Sequence, residues 1–399
     1  MNLSILKKPL FRRYIASSFL ALNGIWIQRI TMGWLAWDMT QSASFVGLVA
    51  GLNFVPSVLS GPFFGVMADR IDLRRAAIAA QLAMLSLSIL LLALFLGGLL
   101  GPGILTAMSL ASGMAASAYS PIRMALVTRL APREDVQSVV VITSMNFNLS
   151  RLSGPAIGGI LIAKLGVGAA LLALVLAPLT LIVVLIRLTL RAPDGPTRVA
   201  QNFIADMRAG FIYAAEHELV RRALIITGLA AFAGRGVLEI LPAIADGAFA
   251  RGAVGLGQLS AAAGAGALLS AVMQALGHIT PAQVLTLRSN MAAMLSCVLV
   301  GVLGLTASWN VALGTVAGLG FLGTLIGVSL QSGIQHSLPD ALRGRVMSLW
   351  VLVALGATAG GAFVQGALAD MIGLSETLVL TGVAGFCLLL ANHWRNRAK

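Results

Sequence analysis

Twelve apolar runs, each long enough to cross about 30 Å of hydrocarbon at 1.5 Å per residue, constrain this chain more than any other feature. They lie at roughly 14–37, 44–67, 76–96, 104–127, 139–163, 168–187, 223–244, 256–276, 284–305, 310–332, 347–369 and 376–393. In hydrocarbon every backbone N–H and C=O must be satisfied internally, so runs of this length fold as helices. The sequence therefore predicts an all-α membrane protein with twelve transmembrane helices. Only 10% of residues are charged, against about 25% in soluble domains. The net charge of +13 would suit nucleic acid if it formed a stripe. Instead it sits in short loops and at the termini, on alternate sides of successive runs, which is a topology signal.

Lys7, Lys8, Arg12 and Arg13 precede the first run, which is too long for a signal peptide and is read as an uncleaved helix. Nearly all other Lys and Arg fall on the same side as these, while the opposite loops hold only Lys164 and Arg251. Both termini are therefore expected in the cytoplasm, with the chain multi-pass in the inner membrane. The long polar connection starts with Pro193, Gly195 and Pro196; Phe203, Ile204, Met207, Phe211 and Ala215 then recur at helical spacing. This reads as a linker followed by an amphipathic helix on the cytoplasmic surface. Gly154, Gly159, Leu161 and Gly166 recur as Gly361, Gly366, Leu368 and Gly373 at a constant offset of 207. With the central linker, the repeat divides the chain into a six-helix half at 1–190, a linker at 191–221 and a six-helix half at 222–399.

Between the second and third runs lies GVMADRIDLRR, Gly65 to Arg75. Asp69, Arg70, Asp72, Arg74 and Arg75 are too dense a charge knot for hydrocarbon, so the stretch is an aqueous turn. An ordinary positive-inside loop explains the arginines but neither Gly65 nor the two aspartates. The pattern resembles the signature loop of the major facilitator superfamily. That resemblance implies a conformational latch formed by Gly65, Asp69, Arg70, Arg74 and Arg75. Asp69 would lie at the N-terminus of the eleventh helix, near Met347, and the arginines would face Asp69 and membrane lipid.

RLSGPAIGG in the fifth run places Gly154, Pro155, Gly158 and Gly159 mid-membrane. Glycines four apart allow close helix packing and proline bends the helix. Packing alone accounts for them, but the run also resembles the Gly-Pro signature of proton-coupled exporters. LAPREDVQSVVVITSMNFNLSRLSGPAIGGILI, LPDALRGRVMSLW and QRITMGWLAWDMTQSASFVGLV are similar to the enterobactin exporter and transmembrane secretion effector family. This resemblance implies the major facilitator fold and efflux of siderophore- or drug-like molecules, with an antiporter mechanism. One departure stands out. Where many drug exporters carry an arginine early in the fourth helix, this chain has Leu110, and the nearest arginine is Arg123 at the cytoplasmic end.

Arg29, Arg151, Arg235 and Glu239 lie deep inside the runs. Each costs about 2.5–3.5 kcal/mol or more at a helix centre, so each should face a cavity or a partner. Arg235 and Glu239 are four apart on one face, and either pair with each other or share a cavity. Three arginines against one carboxylate make the expected cavity positive, suited to an anionic substrate, with Glu239 the candidate proton-coupling group. Gln28 and Asn146, with Asn23 and Asn148, either add hydrogen bonds to the cavity or bond across helices. Cys297 and Cys387 lie in apolar runs and read as small hydrophobes. No metal, cofactor or nucleotide motif is present, nor a nucleophile–base pair, so an enzyme is not expected. The expectation is a monomeric secondary transporter that exports a small organic molecule by proton-coupled alternating access. An importer or lipid flippase of the same fold, or a non-transporting sensor or assembly protein, is the alternative.

Overall fold

The computed structural model describes residues 5, 7–60, 63–64, 67, 71–191, 203–276 and 282–395. The first half contains α1 (Pro9–Thr40), α2 (Ala43–Leu59), α3 (Leu73–Leu96), α4 (Pro102–Val127), α5 (Val136–Leu165) and α6 (Val167–Ile186). α7 (Phe203–Glu216) is the linker helix, and Gly210 packs it on the backbone of Arg345. The second half contains α8 (Glu218–Ala230 and its continuation), α9 (Gly252–Leu276), α10 (Ala282–Leu305), α11 (Trp309–Ser337), α12 (Asp340–Ile372) and α13 (Leu374–Arg395). Among the described residues, seven helices are long and apolar enough by themselves to cross a membrane. The others fall short for visible reasons. α1 and α5 contain Arg29 and Arg151, α4 contains buried Ser109, Ser112 and Ser117, α2 is described over 17 residues, and α8 is interrupted.

Short-range chemistry fixes the helix ends. Ser42 caps α2 by accepting from the Phe45 N–H, and Asp72 caps α3 by accepting from the Arg75 N–H at 2.9 Å. That bond, with the Arg74 N–H and both guanidinium charges, holds the Asp72 carboxyl below the usual carboxylate range. Gly166 and Gly373 end α5 and α12 at φ of 82° and 98°, where a side chain would be strained.

The seventh run departs from expectation: it is not one regular helix. After Ala230 it passes through a π-turn at Ala231–Arg235, an α-turn at Gly236–Glu239 and a second π segment at Ala243–Ala248. Gly234, Gly236 and Pro242 weaken the regular ladder here. Gln365 of α12 donates to the Phe232 carbonyl at 2.6 Å and lies 3.4 Å from that of Ala233, so the bulge is satisfied from outside.

The repeat seen in the sequence is a repeat of contacts. A Cβ on Gly154 would meet Trp26 of α1, and one on Gly361 would meet Phe232 in the bulge of α8. Gly159 sits against Gly257 of α9, and Gly366 against Ala43 of α2. So α5 packs on α1 in its own half and α9 in the other, while α12 packs on α8 and α2 in the same sense. With twelve spans between them, the start of α1 and the end of α13 lie on one face of the bundle, the terminal face. Toward the opposite, far face, one apolar cluster joins both halves through Trp37, Val46, Ile244 and Leu256. Toward the terminal face each half keeps its own cluster, around Tyr14 and Leu185 in one and Val220 and Leu389 in the other.

Gly47 illustrates how close the far-face contact is: a Cβ there would overlap the Ala362 carbonyl. Gly47→Val is expected to cost about 1–3 kcal/mol through overpacking. It should lower the melting temperature of the purified protein, while Gly103→Ala, with open space around its Cβ, should leave it unchanged.

Candidate functional site

Arg29 and Glu239 meet between the halves, with Arg151 and Arg235 nearby. Arg29 of α1 lies 3.6 Å from the Glu239 carboxylate, with side-chain exposures of 16% and 24%. This is not the intrahelical pair with Arg235 that the sequence left open. Arg235 instead donates to the Gly323 carbonyl of α11 at 3.2 Å, and the π-turn sets both residues on their faces. The Arg29 guanidinium is sandwiched between Phe54, 3.9 Å from the ring centroid, and Trp26 at 5.0 Å. Such faces favour a cation that has left water. Arg151 approaches the Trp26 ring at 6.0 Å and has no ion pair or hydrogen bond among the described residues. The charges of Arg29 and Glu239 act on Arg151, and those of Arg151 and Glu239 act on Arg235, so the four form one electrostatic cluster.

Arg29 and Glu239 line a narrow recess together with Asn53 and Ser109. Its free volume of about 20 Å³ holds about one water and lies far below that of small-molecule sites, so a substrate enters only once the halves move apart. Sequence reasoning missed Trp26, Phe54, Asn53 and Ser109, which inside apolar runs look like ordinary packing residues. Of the five expected cavity residues, Arg29 lines the recess, Arg151 and Arg235 are not among its lining residues, and Asn146 and Gln28 are engaged elsewhere. Asn146 is buried and donates to the Ile15 carbonyl at 3.2 Å, tying α5 to α1. Gln28 donates to the Ser112 hydroxyl at 2.7 Å, tying α1 to α4. In the helix-5 motif, Gly154 and Gly158 face α1 while Gly159 faces α9, and Pro155 lies inside the continuous α5.

Toward the far face two carboxylates tie the halves together. Asp370 of α12 accepts from the Ser42 hydroxyl at 2.5 Å and from the N–H groups of Ala43 and Ser44 at 2.9 and 3.0 Å. It thereby places a negative charge at the N-terminus of α2, where the helix dipole favours it. Asp246, at the end of the α8 continuation, accepts from the Trp37 indole N–H at 2.9 Å. Of the charged loop at the terminal face, Gly65, Asp69 and Arg70 lie outside the described residues. Arg74 reaches the Leu188 carbonyl at 3.4 Å, and Arg75 is exposed.

Comparison with known proteins agrees with this architecture. The family profile described as transmembrane secretion effector matches residues 1–397. The chain is 28% identical to the enterobactin exporter EntS of Escherichia coli O127:H6, covering 98% of this chain and 92% of that protein. A bacterial homolog of the human lysosomal transporter Spinster, inward-facing and unoccupied, superposes with a TM-score of 0.69 at 15% identity over 96% of both chains. The human organic anion transporter MFSD10 superposes with a TM-score of 0.65 at 16% identity, over 96% of this chain and all of that one (100%).

Proposed function

The chain belongs to the transmembrane secretion effector family of major facilitator transporters, and from that premise we propose that it exports a small organic anion across the inner membrane by alternating access. In this reading the terminal face is cytoplasmic, and the halves 1–190 and 222–399 rock about the central cluster, joined by the linker 191–221. The proton-motive force drives export, through the membrane potential on the anion and the proton at Glu239. The observation that carries the substrate class is the charge around the recess. Glu239 is paired with Arg29, and Arg151 and Arg235 lie near enough to feel its charge without a carboxylate partner of their own among the described residues. A site two positive charges in excess attracts anions and repels lipophilic cations. The named activity of the 28%-identical relative supports the outward direction. The clusters that part toward the terminal face support access from the cytoplasm.

The test is an efflux comparison in cells, wild type against empty vector, with matched anionic, neutral and cationic compounds. Efflux confined to cations would end the reading. Arg151→Lys sharpens it. Lysine keeps the charge but loses the fork that binds a carboxylate through two hydrogen bonds. Anion affinity is expected to fall about tenfold with the melting temperature unchanged. A parallel loss of melting temperature would instead make Arg151 a structural residue.

A further inference from the structure

The rings that hold Arg29 continue as a ladder toward the terminal face. Trp26 meets Phe147 of α5 edge-on, with centroids 6.0 Å apart and planes at 63°. The Arg123 guanidinium of α4 then lies 5.0 Å over the Phe147 ring. Counted at 1.5 Å per residue from the terminal ends of their spans, Arg123, Phe147, Trp26 and Arg29 lie at depths of about 6, 12, 18 and 22 Å. Two rings in contact thus link a cation near the terminal end of the spans to the cation at the recess, on three helices, α4, α5 and α1, of one half.

Arg123 has a peculiar position on this ladder. It is half-buried, as is Phe147. Tyr14 and Tyr119, whose phenols feel its charge, are buried. Among the described residues Arg123 has neither an ion pair nor a hydrogen bond, and the Phe147 ring is its one described polar or ring contact. One ring face returns only part of the cost of taking a guanidinium out of water. Its N–H fork and its second face stay available. One step deeper, the Trp26 indole N–H is also buried without a partner.

We propose that Arg123 and Phe147 form a second, vestibular binding site for planar aromatic anions, which an entering molecule occupies before it reaches Arg29 and Arg151. The inference rests on the anion-export reading and goes beyond it by adding a site and naming a substrate class. A carboxylate or phenolate takes the N–H fork of Arg123 in charge-assisted bonds. The ring that carries it lies against the guanidinium face or the Phe147 edge, as aromatic and guanidinium planes do. An aliphatic anion gains the fork alone. An aromatic cation gains the ring contact but meets the positive charge.

Calorimetric titration of the purified protein with 2-naphthoate, cyclohexanecarboxylate and 2-naphthylmethylammonium separates these contributions. The wild type is expected to bind two naphthoates per chain and no naphthylmethylammonium. Arg123→Gln should remove one of the two, and Arg29→Gln the other. Phe147→Leu should weaken the vestibular naphthoate about fivefold and leave cyclohexanecarboxylate unchanged. In vesicles, Arg123→Gln should raise KM for naphthoate about tenfold at unchanged maximal rate. A single naphthoate site, lost in Arg29→Gln and intact in Arg123→Gln, overturns the vestibule and leaves the cavity standing. Failure to bind either anion overturns both. Arg123→Lys guards against misfolding: with a wild-type melting temperature it should still lose the vestibular site, and if it keeps full naphthoate affinity the fork is not the binding element.

Discussion

Glu239→Gln is expected to abolish the pH dependence of anion binding and to hold the protein in a tight-binding form at every pH. The physical reason is the charge count around Arg29. Glu239 is the single carboxylate in the cluster, and it sits 3.6 Å from the Arg29 guanidinium. While it is ionised, an arriving anion must compete with it for that guanidinium. Once it is protonated, Arg29 is released and the local charge rises by one, so proton and anion binding reinforce each other. Wild-type affinity for an anion should therefore rise as pH falls, and the glutamine variant should start and stay at the high-affinity end. The membrane potential drives the anion outward, by about 2.3 kcal/mol per charge per 100 mV, only if the proton returns to the cytoplasm before the outward step, since proton and anion leaving together would be neutral.

The variant also leaves Arg29 without its counter-charge. The cost is below the roughly 3–5 kcal/mol of breaking a fully buried pair, because both side chains keep some exposure and because Phe54 and Trp26 still face the cation. A modest fall in melting temperature should accompany the change in binding. Two results would remove Glu239 from the mechanism. One is a glutamine variant whose affinity still follows pH. The other is a wild type whose anion affinity falls on acidification, since proton and substrate would then compete at some other group.

Hydropathy made the twelve spans legible, because the bilayer imposes their length, and the long polar connection marked where the chain divides into halves. The glycine offset of 207 was legible as well, and it marks real contact surfaces: Gly159 and Gly366 each bring one half onto the other. What could not be read is whatever depends on which helix faces which. The pairing of Glu239 with Arg29 joins residues 210 apart in number, and the i,i+4 rule favoured Arg235. The π-turn at Ala231–Arg235 is held open by Gln365, a polar residue in the eleventh run with no local signature. Trp26, Phe54 and Phe147 have no distinguishing pattern in an apolar run, because a ring that stacks on an arginine and a ring that packs on leucine look alike in sequence. Asn146 and Gln28 show the reverse case: a polar residue in a span fits a cavity or a cross-helix bond equally well in sequence, and here both tie helices together.

Asp370→Ala combined with Trp37→Phe is expected to open the far face. Asp370 is exposed, so its charge at the N-terminus of α2 contributes only about 1 kcal/mol, close to fivefold in the ratio of closed to open. Trp37 is 7% exposed, and its bond to Asp246 joins a different pair of helices. A charge-assisted bond there contributes about 1.5 kcal/mol. The two contacts share no partner, so their effects should add, to about 2.5 kcal/mol or some seventyfold. A protein that is 99% closed at the far face would then be close to evenly divided. Spin labels at Leu99 and Leu305, both exposed at that face, report the change once Cys297 and Cys387 have been replaced. The double variant should add a longer distance to the distribution, and each single variant a smaller amount of it. Asp69→Asn provides the opposing case. If Asp69 latches the terminal face as its sequence pattern implies, its removal from the evenly divided double variant should restore the short far-face distance. An unchanged distribution in the double variant would show that the Gly47 and Gly366 contacts alone keep the far face closed. A shift of both variants in the same direction would show that the two aspartates do not guard opposite ends of one equilibrium.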